Sequence, residues 1–437
     1  MTTEILLFIF GLCLWTSSAL PDYDHVSMAE LLETGFGDRL DPEFTMNATE
    51  IIEYHGYPAE EYQVTTSDGY MIYIQRIPHG RNESYVSGSR RPVVLLQHGL
   101  LVSSTNWITN LPNESLGFIL ADAGYDVWLG NMRGNVYGLK HKSFPITSKE
   151  FWDFTFDEMA AYDLPAIIKK ALAVSGAEQL SYVGHSQGTL IGFAKFSSDQ
   201  ELAKKIRVFI ALAPVAFLGN MKSPLLRLIA PFARELAFLF RLFGYRDFLP
   251  DYPLIQYLAE KFCIKQPIPA RVCENVIFIV AGYDFAQINS TRLDVYLSHA
   301  PAGTSSQNIF HFAQLAQSNK CQKFDYGSDA ENMKYYGQIT PPEYPVSALK
   351  VPTAMLYSDN DWLATPVDVL RLKEELSSVV DFYRVPYANW DHLDFIWGVD
   401  ANKYVYPEVQ RVLRQYANST RRATGHRKLS SGSPKKE

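Results

Sequence analysis

The stretch Leu180-Ser181-Tyr182-Val183-Gly184-His185-Ser186-Gln187-Gly188, continuing as Thr189-Leu190-Ile191-Gly192-Phe193-Ala194-Lys195, constrains the fold more than any other in the chain. Its first half is a short apolar run of the kind that forms a buried strand, and its second half has helical spacing. Between them the Gly-x-Ser-x-Gly pattern predicts a sharp strand-to-helix turn with Ser186 at its apex. Gly184 and Gly188 belong there because a Cβ at either position would collide with the neighbouring strand or helix. A serine held in this way is a candidate nucleophile. The other groups it would need can be sought along the rest of the chain.

Tyr62–Thr66 and Tyr70–Ile77 flank Ser67-Asp68-Gly69 and read as a β-hairpin. Pro92–Gln97 is a continuous apolar run, as in the middle of a parallel sheet, and leads into His98-Gly99-Leu100-Leu101. A helix is expected over about 115–123 and a strand over 125–129. A helix over about 156–174 then precedes the Ser186 strand, and a further strand spans 207–213. This alternation of strand and helix predicts an α/β parallel sheet. The rhythm stops from about Val215 to Glu343, where the sequence is mainly helical and aromatic-rich with proline breaks. It resumes with strands near 353–358 and 381–385 and a closing helix over about 407–416. The interruption therefore reads as an inserted cap (215–343) between two parts of one core, 21–214 and 344–417.

A serine hydroxyl needs a general base, and the base needs an orienting acid. On α/β sheets of this kind the order along the chain is Ser, then Asp or Glu, then His. The strand ending at Ser358 is followed by Asp359-Asn360-Asp361, and the next strand by Asn389-Trp390-Asp391-His392. Asp361 is assigned as the acid and His392 as the base, with Asp359 the competing acid. His55, His79, His141, His299 and His311 come too early in the chain to be strong candidates. Two backbone donors are needed for a tetrahedral oxyanion. The N–H of Gln187 is one, and that of Leu100 is chosen as the other.

Residues 1–20 hold the apolar run Ile5–Trp15 followed by small residues, the pattern of a secretory leader. Only the amino terminus supplies its positive charge. Of the cysteines beyond it, Cys263 and Cys273 are close enough in sequence to pair, with Cys321 free; three buried thiols are the alternative. Sequons occur at Asn47, Asn82, Asn113, Asn289 and Asn418. A formal net charge of −7 argues against nucleic acid as a partner. No His or Cys cluster has metal-ligand spacing, and no cofactor is expected. Residues 418–437 contain six Lys or Arg and a single acid, with almost no apolar content, and are expected to lack order. Within the cap, Leu225, Leu228, Ile229, Phe232, Leu236, Leu239, Phe240 and Phe243 share one helical face, interrupted by Pro231.

The strings Leu96–Leu101, Leu120–Asn131, Gly184–Gly188, Thr291–Tyr296 and Asn389–Gly398 closely resemble the acid lipases of the gastric and lysosomal type, within the α/β-hydrolase superfamily. The resemblance runs from about Asp41 to Tyr416. It implies an α/β-hydrolase fold with an inserted, mainly helical cap, and a secreted or lysosomal glycoprotein that cleaves neutral-lipid esters. It also implies a Ser186–Asp361–His392 triad, an oxyanion hole at Leu100 and Gln187, and a Cys263–Cys273 bridge. A third family cysteine is replaced by Ala281.

Overall fold

The computed structural model describes residues 41–82, 91–223, 227, 230–232, 247–248, 284 and 286–429. The apolar runs form the middle of one nine-stranded sheet. β1 (Glu60–Thr65) and β2 (Tyr70–Ile77) make the expected antiparallel hairpin, with Gly69 at φ 111° in its turn. β3 (Val93–Gln97) and β4 (Asp126–Gly130) follow, and the short β5 (Lys140–His141) pairs with the start of β2. β6 (Leu180–His185) and β7 (Ile206–Leu212) come next, and β8 (Asp247–Phe248) and β9 (Thr304–Ser305) form a separate pair. β10 (Thr353–Tyr357) and β11 (Val379–Arg384) complete the large sheet.

The spatial order is β1-β2-β4-β3-β6-β7-β10-β11, and from β4 to β11 all neighbours are parallel. β3, β4 and β6 are buried at every residue, as strands covered on both faces by helices must be. The outer β1 alternates instead, and β11 has no fully buried residue; they expose Glu61 and Arg384, and charges on an edge discourage further pairing. From β3 the chain passes through helix Leu116–Asp122 to β4 on one side. From β4 it returns through helix Leu164–Ser175 to β6, on the other side of β3. The connections leaving β3 and β6 therefore diverge, which opens a crevice at their C-terminal ends where ligand sites form in such sheets.

Three differences from the sequence reading have physical causes. The helix expected over 156–174 contains a π-helical turn at Met159–Asp163, and no apolar period announces one inserted residue. Helix Pro366–Glu375, with proline at its first turn and Val369 and Leu372 buried, was not anticipated. The last helix runs from Tyr406 to Leu429, so the tail expected to lack order from Asn418 onward continues it. Val409, Val412 and Leu413 anchor that helix in the core. Once nucleated, it extends cheaply through good helix formers such as Arg421, Arg422, Ala423 and Lys428.

Within residues 215–343 the described part includes the helices Leu293–His299, Ser306–Ser318 and Asp329–Tyr336. The leader at 1–20, the Cys263 and Cys273 pair and the apolar face over 225–243, apart from the backbone turn Ala230–Phe232, lie outside the described residues. Cys321 is buried and unbridged.

Candidate active site

Ser186 ends β6 and starts helix Gln187–Ser198, at φ 53° and ψ −119°. A non-glycine residue in that region costs about 1–3 kcal/mol and persists only where its surroundings enforce it. The surroundings here are backbone. Ser186 N donates to Leu212 O at the end of β7 (3.1 Å), and Tyr182 Oη donates to Gly188 O (2.7 Å). A Cβ on Gly184 would lie 2.8 Å from the Gly188 carbonyl group, and one on Gly188 would lie 2.4 Å from Gln97 O. Both glycines are therefore required by close backbone approach.

The loops after β10 and β11 bring Asp361 and His392 together. His392 Nδ1 donates to Asp361 Oδ2 at 2.8 Å, with both side chains buried. The other Asp361 oxygen accepts the N–H groups of Leu363 and Ala364, each at 2.8 Å. That arrangement fixes the imidazole with its proton on Nδ1 and leaves Nε2 as the basic nitrogen. Asp359, the competing acid, instead pairs with the exposed Arg384.

The turn carrying His392 is cross-braced. Asp391 Oδ1 accepts from Leu393 N (2.8 Å) and Asp394 N (3.0 Å), while Asp391 N donates to Asp394 Oδ2 (2.8 Å). Burial pushes the Asp391 carboxyl up to about 7. Burial, followed by the nearby Asp391, raises Asp394 well above the usual carboxylate range.

The elbow and the His392 loop meet directly. His185 Nε2 donates to His392 O at 2.9 Å, and the two rings lie 4.8 Å apart. The loop after β3 closes the third side. A Cβ on Gly99 would lie 3.1 Å from Ser186 Cβ. Leu100 follows, and Leu101 takes a left-handed φ of 63° while its carbonyl accepts from Ala302 N at 2.6 Å. Gln187 is the first residue of its helix, so its N–H has no acceptor within that helix. Its side chain is fixed by Asn308 Nδ2, which donates to Gln187 Oε1 at 2.8 Å. His98 Nδ1 donates to Gly99 O (2.7 Å), and its Nε2 accepts from Asn135 Nδ2 (3.2 Å). Burial pulls His98 down to about 4, so it is neutral over a wide pH range.

His185, Asn135 and Asn308 were not assigned roles from the sequence. His185 and Asn135 stand inside or beside motifs that were identified, but the partners that give them meaning are far along the chain. The other histidines bond elsewhere, His55 to Glu43 (2.9 Å), His299 to Glu43 O (3.0 Å) and His311 to Gln322 O (2.9 Å). His79 bonds Gly80 O (2.8 Å) and His141 bonds Asp68 O (2.9 Å). The string Thr291–Tyr296 supplies structure: Arg292 is buried against both Glu43 oxygens and Thr109 O, and Tyr296 Oη donates to Asn110.

Among the sequons, Asn47 caps helix Ala48–Tyr54 through Oδ1, and Asn289 Oδ1 accepts from Thr291 N. Asn82 and Asn113 are exposed, and the side chain of Asn418 lies outside the described residues. Among the described residues no group of His, Cys, Asp and Glu is arranged to hold a metal ion, and no helix is long and apolar enough to cross a membrane.

Residues 48–111 match the family model described as a partial alpha/beta-hydrolase lipase region, and residues 92–249 match that of the alpha/beta hydrolase fold. The chain is 50% identical over 370 residues to gastric triacylglycerol lipase of Rattus norvegicus, covering 84% of this chain and 91% of that protein. It is 47% identical over 386 residues to lysosomal acid lipase/cholesteryl ester hydrolase of Homo sapiens, covering 87% and 95%. Gastric triacylglycerol lipase of Homo sapiens is 48% identical over 374 residues, covering 86% and 92%.

Proposed function

The chain belongs to the gastric and lysosomal acid lipase family of α/β-hydrolases, and from that premise we propose that it is a secretory-pathway lipase cleaving neutral-lipid esters through an acyl-enzyme on Ser186. It is a serine ester hydrolase. Its substrates are the class that spans the triacylglycerols and cholesteryl esters named for its relatives, and it works in a secreted or lysosomal setting.

His392 Nε2 takes the Ser186 hydroxyl proton as Oγ bonds to the ester carbonyl carbon. The carbonyl oxygen becomes an oxyanion, stabilised by the N–H groups of Gln187 and Leu100. Asp361 holds the imidazole in register and stabilises the imidazolium without taking its proton. Collapse of the intermediate expels the alcohol, which leaves with that proton. Water, deprotonated in turn by His392, then releases the fatty acid and restores Ser186.

The observation that carries this reading is the 2.8 Å Asp361–His392 bond on a loop hydrogen-bonded to the residue before Ser186. The insertion at 215–343 supplies the apolar cap under which long acyl chains bind. The leader at 1–20 directs export. The test follows fatty acid released from emulsified triolein and cholesteryl oleate and from soluble short-chain esters, by the purified glycoprotein and its Ser186→Ala variant. Long-chain turnover that vanishes in the variant is expected. Turnover confined to soluble short esters would overturn the lipid assignment, and turnover retained by the variant would reject the nucleophile.

A further inference from the structure

The residue between the first glycine and the serine of a Gly-x-Ser-x-Gly elbow has no part in acyl transfer, so its side chain is free for another task. In this chain it is His185, which is buried. Its Nε2 lies 2.9 Å from the main-chain oxygen of His392, a residue 207 positions away. A carbonyl oxygen only accepts, so Nε2 carries the proton and Nδ1 does not. Nδ1 is buried against the Gly99 backbone, where a Cβ would lie 3.2 Å from it, and has no hydrogen-bond partner among the described residues. Burial, then the nearby His392 and His98, hold His185 well below the ordinary histidine range. It therefore stays neutral while His392 gains and loses its proton.

Two bonds then define where the base sits. Asp361 fixes the His392 ring through Nδ1, and His185 fixes the His392 main chain. The first sets the ring's tautomer and rotation. The second sets the distance between the base loop and the elbow, because His185 and Ser186 are adjacent on the same rigid turn.

We propose that His185 is a positioning residue, whose Nε2–H tethers the main chain of His392 to the nucleophile elbow so that base and nucleophile are held as one body. The proposal rests on the assignment of Ser186 and His392 made above. A ring that merely filled space would be replaceable by any side chain of similar volume, whereas a tether requires a donor.

The test uses the full-length glycoprotein and a soluble short-chain ester, so that binding to a lipid surface does not enter. His185→Met and His185→Phe remove the donor; His185→Gln supplies an amide N–H at similar reach and is nearly isosteric with methionine. The Met and Phe variants are expected to lose about 10- to 100-fold in kcat with KM changed by less than about 2-fold, as for a small misplacement of a reacting group. The Gln variant should recover to within about 5-fold of the parent and keep the acid limb of the kcat/KM profile that reports His392. Parental kcat in the Met or Phe variant, or a Gln variant as slow as the Met variant, would overturn the proposal. A Ser186→Ala control that retains turnover would instead remove the triad assignment; an inactive control beside a fully active Met variant removes the tether alone. Nitrogen NMR of the labelled parent enzyme gives a reading independent of how the variants fold: a protonated Nε2 and bare Nδ1 on His185 are expected, and the opposite tautomer contradicts the tether.

Discussion

A Cβ on residue 188 would lie 2.4 Å from Gln97 O and 2.8 Å from His98 O, both backbone atoms that cannot swing aside. Gly188→Ala must therefore push the Ser186 turn away from β3 and the Leu100 loop. A displacement near 1 Å is enough to lower kcat by about 10²-fold, and overpacking should cost about 1–3 kcal/mol in thermal or denaturant unfolding. The two candidate acids part at the same scale. Asp361→Asn removes the carboxylate that fixes the His392 tautomer and should lower kcat by about 10⁴-fold with the fold intact. Asp359→Asn removes a surface partner of Arg384 and should leave kcat within about 2-fold; equal losses in steady-state rates would contradict the assignment. Both acids follow the same strand in the sequence. What separates them is the turn that points one inward and the arginine, 25 residues on, that holds the other outward. Neither is visible as a spacing, so the sequence could rank the pair only by order and context.

At the scale of elements, Arg133 clamps three of them. Its guanidinium bonds Asp163 in the π turn and Asp68 in the β1–β2 hairpin, from the loop after β4, and stacks on Tyr70 at 4.0 Å. Asp163 is wholly buried, so Arg133→Ala would strand its charge and should cost about 3–5 kcal/mol in denaturant unfolding; a loss below about 1 kcal/mol would contradict that reading. The His392 turn carries a pH dependence of defined sign. Asp391, raised to about 7, is bonded to Asp394 and lies near Asp361, and Asp394 in turn lies near Asp284, all acids. Folding takes up a proton there between the ordinary carboxylate range near 4 and about 7. Stability present at low pH is lost as pH rises through that window. Asp391→Asn keeps the oxygen that accepts from Leu393 and Asp394 but has no proton to lose. Its thermal midpoint should fall by several degrees less than the parent's between about pH 5 and about pH 8. Parallel midpoint curves would contradict the account. The helices themselves were largely legible, because apolar period and caps are local signals. The π turn and the true end of the final helix were not, since one depends on packing and the other on propagation from an anchored core.

For the whole molecule, the alternation of strands and helices foretold a parallel sheet, and the apolar runs marked its members. The strand order was not readable, because crossovers leave no trace in local pattern. That order decides the site: by placing β3 beside β6, it brings the Leu100 loop against the Ser186 elbow at the sheet's C-terminal edge. The cross-links that complete the site, His185 to His392 and Asn308 to Gln187, span 207 and 121 residues. Such pairs exist only once the chain has folded. The chemistry at Ser186 is tested most directly by treating the purified enzyme with an alkyl phosphonate ester and mapping the adduct by peptide mass spectrometry. One covalent phosphonate is expected, on Ser186, forming in step with loss of ester hydrolysis and slowed about as much as turnover by Asp361→Asn. An inactivating adduct on any other residue, or full hydrolysis with Ser186 modified, would contradict it.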